Sequence, residues 1–217
     1  MADAVEAGRV KELREKTGAG IMDCKRALQA SGSDLEAAVK WLREKGLASA
    51  AKKAGRVTSE GQVVSYIHPG GRVGVLLELN CETDFVARTD EFQALARELA
   101  MQVAAGNPRW VRREDVPADV VAAEREVLTR QAAQEGKPER IVANIVEGRL
   151  KKFFQENCLI DQPFIKDDSK TVEQLIQEAI ARLGENLVLR RFARFGLGEV
   201  AGGGEADGAA LPAGAGR

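Results

Sequence analysis

Apolar positions in this chain follow one period, then another. Over residues 1 to about 55 they recur every three or four residues: Val10 and Leu13, then Ile21, Cys24, Ala27 and Leu28, then Leu35, Ala38, Val39 and Leu42. That spacing places each set on one helix face, so three short helices are expected. Thr17-Gly18-Ala19-Gly20 separates the first from the second, and Ser31-Gly32-Ser33 breaks the second. Ser33 or Asp34 is placed to cap the third helix, and Gly46 to end it.

From residue 61 the period becomes two. Gln62 to Ile67 and Arg72 to Leu79 read as an antiparallel hairpin reversing at Pro69-Gly70-Gly71. Thr83 or Asp84 can cap the helix that follows, with body Phe92, Leu95, Ala96, Leu99 and Val103, stopped by Gly106-Asn107-Pro108. A third strand is expected over Asn186 to Phe192. These elements predict the α+β class: a small antiparallel sheet packed with helices. Pro117 opens one further helix to about Glu135, and Pro138 opens another bearing Ile141, Val142, Ile145, Val146, Leu150, Phe153 and Phe154. Joined by Gly136-Lys137, the two must lie antiparallel, with Val120, Val121, Val127 and Leu128 as the inner stripe of the first. Thr171 to Leu183 is a last amphipathic helix. The tail from Ala201 has six glycines in 17 residues and is expected to be disordered. The division expected is 1–55 for the three helices, 56–200 for the α+β core with the helical hairpin at 117–157, and 201–217 for the tail.

Charge and composition narrow the chemistry. Net charge is −1, a poor match to a protein held on nucleic acid by phosphate neutralisation. Residues 1 to 56 carry 12 Lys/Arg against 8 Asp/Glu. Lys45, Lys52, Lys53 and Arg56, in or beside the small basic linker at 50–61, are therefore the strongest case for RNA contact, though no aromatic interleaves with them to stack bases. No segment approaches 18 apolar residues and none has the form of a signal peptide, so a soluble cytoplasmic chain without membrane contact is expected. The three cysteines, Cys24, Cys81 and Cys158, are widely spaced and the only histidine is His68, on the hairpin. Neither a zinc site nor a structural disulfide fits that inventory, and no cofactor motif appears. A thiol enzyme would have to draw on Cys24 or Cys81.

Residues 80 to 86, NCETDFV, raise the functional question. A strand ends there and Asp84 and Phe85 stand side by side, in a chain with seven phenylalanines. From the residues alone, Asp84 caps a helix while Phe85 plugs a local core, or the ring is meant for a partner. Gly18 and Gly20 raise a second one. Glycines before a helix suit a phosphate cradle, but no strand precedes them and their spacing fits neither nucleotide-loop pattern, which favours a tight helix–helix turn.

VKELREKTGAGIMDCKRAL, the KKAGR linker, NCETDFVAR, GKPERIVANIVEGRLKKF and LIDQPFIKDDSKTV together resemble the bacterial elongation factor Ts family, in order from about residue 9 to residue 200. The resemblance implies a UBA-like three-helix domain at 1–55. It implies a guanine-nucleotide exchange factor that binds GDP-bound elongation factor Tu during translation elongation and makes no bonds of its own. It also implies that the turn Thr83-Asp84-Phe85-Val86 inserts near the magnesium and phosphate site of that partner, and that Ile21, with Met22 and Lys25, docks on its G domain. Longer members carry two similar β-rich halves and this chain has room for one. It resembles the short form, in which a homodimer would replace the missing half.

Overall fold

The computed structural model describes residues 7–135 and 138–199. Helices α1 (Ala7–Thr17), α2 (Ile21–Ala30) and α3 (Leu35–Lys53) come first. Their contact is a small core of Leu13, Cys24, Ala27, Leu28 and Ala38, ringed by Val10, Leu35, Val39, Trp41 and Leu42. Asp34, rather than Ser33, caps α3, its carboxylate accepting the Ala37 N–H at 2.7 Å. A second core lies under a three-stranded antiparallel sheet of order β1 (Glu60–Ile67), β2 (Val73–Cys81), β5 (Val188–Gly196). Between β2 and β5 run α4 (Asp84–Ala87), α5 (Asp90–Gly106), α6 (Ala118–Gln134), α7 (Glu139–Asn157), β3 (Pro163–Phe164), β4 (Asp167–Thr171) and α8 (Val172–Leu183). The architecture is α+β, as the change of period predicts.

Alternation along β2 fixes which side of the sheet is covered. Val75, Leu77, Leu79 and Cys81 are buried against Phe92, Leu95, Leu99 and Val103 of α5 and Leu175, Ile176, Ala179 and Ile180 of α8. Leu76, between them, points the other way and is half exposed. Because the side-chain period is two, that register sends Val63 and Ile67 of β1 and Phe195 of β5 to the open face as well.

The hairpin α6–α7 is a separate packing unit. Leu128, Ala132, Val146 and Leu150 close its seam, with Phe153 and Phe154 at the base. Backbone bonds root it there: Arg109 and Trp110 donate to the Asn157 carbonyl, and Leu159 donates to that of Trp110. Pro117 and Pro138 stand in extended conformation just before the helices, not as their first residues. Val127, assigned to the inner stripe, is exposed while its neighbour Leu128 faces in, since adjacent positions sit 100° apart on a helix.

Other expectations are corrected. Thr83 caps only the four-residue α4, and Thr89 starts the long helix, accepting the Phe92 N–H at 3.3 Å. The third strand begins at Val188 instead of Asn186, whose amide is spent on the backbone of Ala54 and Arg56. The short pair β3–β4 was not expected; DDSKT offers no apolar alternation. The chain reversal at Gly136-Lys137 and the tail from 201 lie outside the described residues. Gly46 does not end α3. The helix continues to Lys53, and a Cβ at Gly46 would stand 3.4 Å from that of Ala181, so the glycine is where α3 crosses α8. Gly46→Ala should therefore leave stability unchanged or raised by up to about 1 kcal/mol, the helix-propensity difference. Gly46→Leu should lower it by about 1–3 kcal/mol through overpacking. Urea unfolding of both variants checks this; a loss with Gly46→Ala would mean that the crossing has no room for a methyl group.

Candidate functional site

Two exposed places collect the residues singled out above. At the first, β2 ends in Cys81 and the chain turns through Glu82 and Thr83 into α4. Thr83 is extended (φ −129°, ψ 153°) and its hydroxyl accepts the Val86 N–H at 3.4 Å. One helical turn then distributes four side chains. Val86 and Ala87 enter the core, and Phe85 is 78% exposed. Phe85 is therefore not local core, and the capping role belongs to Thr83, not Asp84. Asp84 is also exposed and meets Arg88, one turn on, at 2.9 Å. An exposed pair of that kind contributes a few tenths of a kcal/mol at most. Val86, the last residue of the motif, anchors the turn from inside.

The turn is held from a distant part of the chain. Glu185, between α8 and β5, accepts the Glu82 and Thr83 backbone N–H groups at 3.1 and 3.0 Å and the Thr83 hydroxyl at 2.6 Å. Glu82 answers in kind, its carboxylate accepting the Asn186 N–H at 2.7 Å and facing Arg56 at 3.4 Å. Charge-assisted bonds to backbone N–H groups are among the stronger hydrogen bonds available. Sequence reasoning missed Glu185, Asn186 and Arg88. Only the Arg88 spacing, i,i+4 from Asp84, was a usable local signal.

The second place is the corner between α1 and α2. The Thr17 hydroxyl closes α1 on the Leu13 carbonyl at 2.7 Å, and Gly18 takes φ +68°. Gly20 precedes α2 in extended conformation without a side-chain cap. The two glycines make a tight turn, with Cys24, Ala27 and Leu28 inward and Ile21 and Met22 outward, 56% and 61% exposed. Lys25 is exposed beside them. Ile21 is thus surface, not core.

The remaining candidates are accounted for locally. Tyr66 and His68 pair on the hairpin, the phenol oxygen 3.0 Å from Nδ1. Lys45 pairs with Asp23, Lys53 donates to the Ser49 hydroxyl and the Ile180 carbonyl, and Arg56 is engaged as above, while Lys52 is exposed. All three cysteines are free and buried. Burial, helped by the Glu185 carboxylate, pushes the Cys81 thiol up to about 11, and burial with Asp161 nearby pushes that of Cys158 to about 12. The Cys24 thiol is raised by burial too. Among the described residues no three His, Cys, Asp or Glu side chains are grouped to hold a metal ion, and no helix is long and apolar enough to cross a membrane.

What both places offer is exposed apolar surface in a fixed backbone conformation, on a protein of the α+β class. The family model described as Elongation factor TS matches residues 29–199, which takes in the Phe85 turn and begins after Ile21, Met22 and Lys25. Over 190 residues the chain is 62% identical to elongation factor Ts of Carboxydothermus hydrogenoformans, covering 88% of each chain. Over 195 residues it is 60% identical to those of Desulforamulus reducens, covering 90% of each, and Moorella thermoacetica, covering 90% of this chain and 96% of that one. The chain belongs to the elongation factor Ts family of translation elongation factors.

The buried thiols fix a pH dependence. Their folded pKa values lie above the ordinary value of 9.0, so the stability held by the neutral thiols is complete below about pH 9 and is lost as pH rises through 11 and 12. The unfolding free energy in urea should fall across that window, and less steeply in Cys81→Ala/Cys158→Ala. A slope indifferent to both substitutions would contradict it.

Proposed function

We propose that this chain acts in the cytoplasm as the guanine-nucleotide exchange factor for GDP-bound elongation factor Tu, and that the Thr83-Asp84-Phe85-Val86 turn carries the exchange. The observation behind this reading is the exposure of Phe85. A ring left 78% in water at the head of a rigid turn has no role in its own core. Desolvated between partner helices, such an anchor contributes about 2 kcal/mol or more. Asp84, held outward by Arg88, would reach the polar groups that organise the partner's magnesium and phosphate. Thr83 and Val86 hold the turn from its backbone and its core side. Ile21, with Met22 and Lys25 beside it, would fasten the UBA-like domain of residues 1–55 to the same partner.

The mechanism is linkage and needs no bond made or broken by this chain. If factor and nucleotide weaken each other on elongation factor Tu, the weakening is reciprocal, about tenfold in affinity for every 1.4 kcal/mol of coupling. Release and reloading both accelerate and the nucleotide equilibrium stays where it was. Anchor and wedge then separate kinetically. In fluorescent-GDP release from purified elongation factor Tu, Phe85→Ala should lower the maximal stimulated rate about tenfold or more, a hot-spot magnitude. Ile21→Asp should raise the concentration for half-maximal stimulation while lowering the maximum far less, because it would bury an unpaired carboxylate at the contact. A folded Phe85→Ala variant with undiminished exchange would defeat the wedge.

A second copy of the chain is the other partner proposed. Ile67 and Phe195 flank Gly74 on either side in register, with Leu76 and Val63 next along the same open sheet face. Those four large apolar side chains, all half exposed or more, form the continuous patch that marks an association surface. The wild-type chain should exceed the 23.4 kDa of one copy in light scattering at micromolar concentration, and Leu76→Glu should return it to one copy. A wild-type chain that stays single over that range rules the homodimer out.

A further inference from the structure

We infer that Glu185 is a positioning residue for exchange, and that the segment 182–187 holds the Phe85 turn and the Ile21 corner in one frame. This rests on the exchange reading above and concerns how the turn acquires its aim. Phe85 is 78% exposed, so its orientation follows that of the backbone at Glu82 and Thr83. Three hydrogen bonds to that backbone and its cap end on one carboxylate, that of Glu185. The return bond from the Asn186 N–H to Glu82 makes the two segments hold each other, each offering N–H groups to the other's carboxylate.

The same segment, from Arg182 to Leu187, reaches the other contact element. The Asn186 side-chain amide, 2% exposed, donates to the Arg56 carbonyl at 2.9 Å and the Ala54 carbonyl at 3.4 Å, gripping the chain as it leaves α3. One turn back, Arg182 pairs with Glu91 at the start of α5 and passes under Gly18, where an added Cβ would stand 3.0 Å from its Cδ. Residues 182 to 186 therefore touch the docking turn, the entry to α5, the exit of α3 and the glycine corner before Ile21. A segment so connected sets the offset between anchor and wedge. A shift of about an ångström in a positioned group can lower a rate about a hundredfold.

The test compares Glu185→Ala with Glu185→Gln in the full chain. Glutamine is isosteric: its carbonyl accepts the two backbone N–H groups and its amide donates to the Thr83 oxygen in place of accepting from it. In fluorescent-GDP release from elongation factor Tu, Glu185→Ala should lower the maximal rate about tenfold while the half-saturating concentration moves less than about threefold. Glu185→Gln should stay near wild type in both. In the free chain, the Glu82 and Thr83 amides should exchange with solvent at least about tenfold faster in Glu185→Ala, and Glu185→Gln should protect them. Unchanged amide exchange in Glu185→Ala, or an effect confined to the half-saturating concentration, overturns the inference. Lost protection together with full exchange by Phe85→Ala would instead sink the wedge and, with it, any effect of positioning on rate. The amide and kinetic arms thus separate the two failures.

Discussion

One helical turn at the end of a central strand cannot bury all of its side chains, and the rest of the site follows from that. With Val86 and Ala87 in the core beside Phe92 and Leu99, the 100° step of the helix carries Phe85 outward. Leaving an aromatic ring in water forgoes about 1.5–3 kcal/mol of burial. The sheet and α5 make Val86 and Ala87 the better choice for the interior, and the ring is left as exposed apolar surface. The capping hydroxyl of Thr83 and the carboxylate of Glu185 then decide where it points.

The two cores share this task unequally. The three-helix unit closes around five small or medium side chains, a modest core for about 45 residues. Its last helix extends past Gly46 to cross α8. The sheet unit has the larger core, and the Phe85 turn projects from it, whereas the Ile21 corner projects from the three-helix unit. The Asp84–Arg88 pair is too exposed to add much stability. Its consequence is conformational, keeping the carboxylate beside the ring. The cysteines, by contrast, are enclosed and hard to ionise.

Much of the fold was legible because it follows period and punctuation. Ile21 to Ala30 appeared as predicted, since Gly20 and Ser31 bracket an unbroken apolar face. Gly46 misled because a glycine late in a helical pattern reads as a terminus; what keeps it helical is Ala181, 135 positions away. Glu185 was illegible for the same reason, its three bonds falling on residues about a hundred positions earlier. The choice between core and partner for Phe85 could not be made from local sequence either, where both readings use the same residues. The resemblance favoured the partner, and the exposure of the ring now favours it physically. Ile21 and Met22 share that ambiguity, because apolar residues at a helix start serve a core or a surface equally well.

A wedge at Phe85 requires the ring to be free in the isolated chain and enclosed in the complex. A 4-fluorophenylalanine placed at position 85 reports this directly by fluorine NMR, with and without GDP-bound elongation factor Tu. A narrow resonance at a solvent-exposed position is expected in the free chain, and a shifted, solvent-shielded one once the partner is added. A complex that forms while this resonance keeps its free position would contradict the wedge.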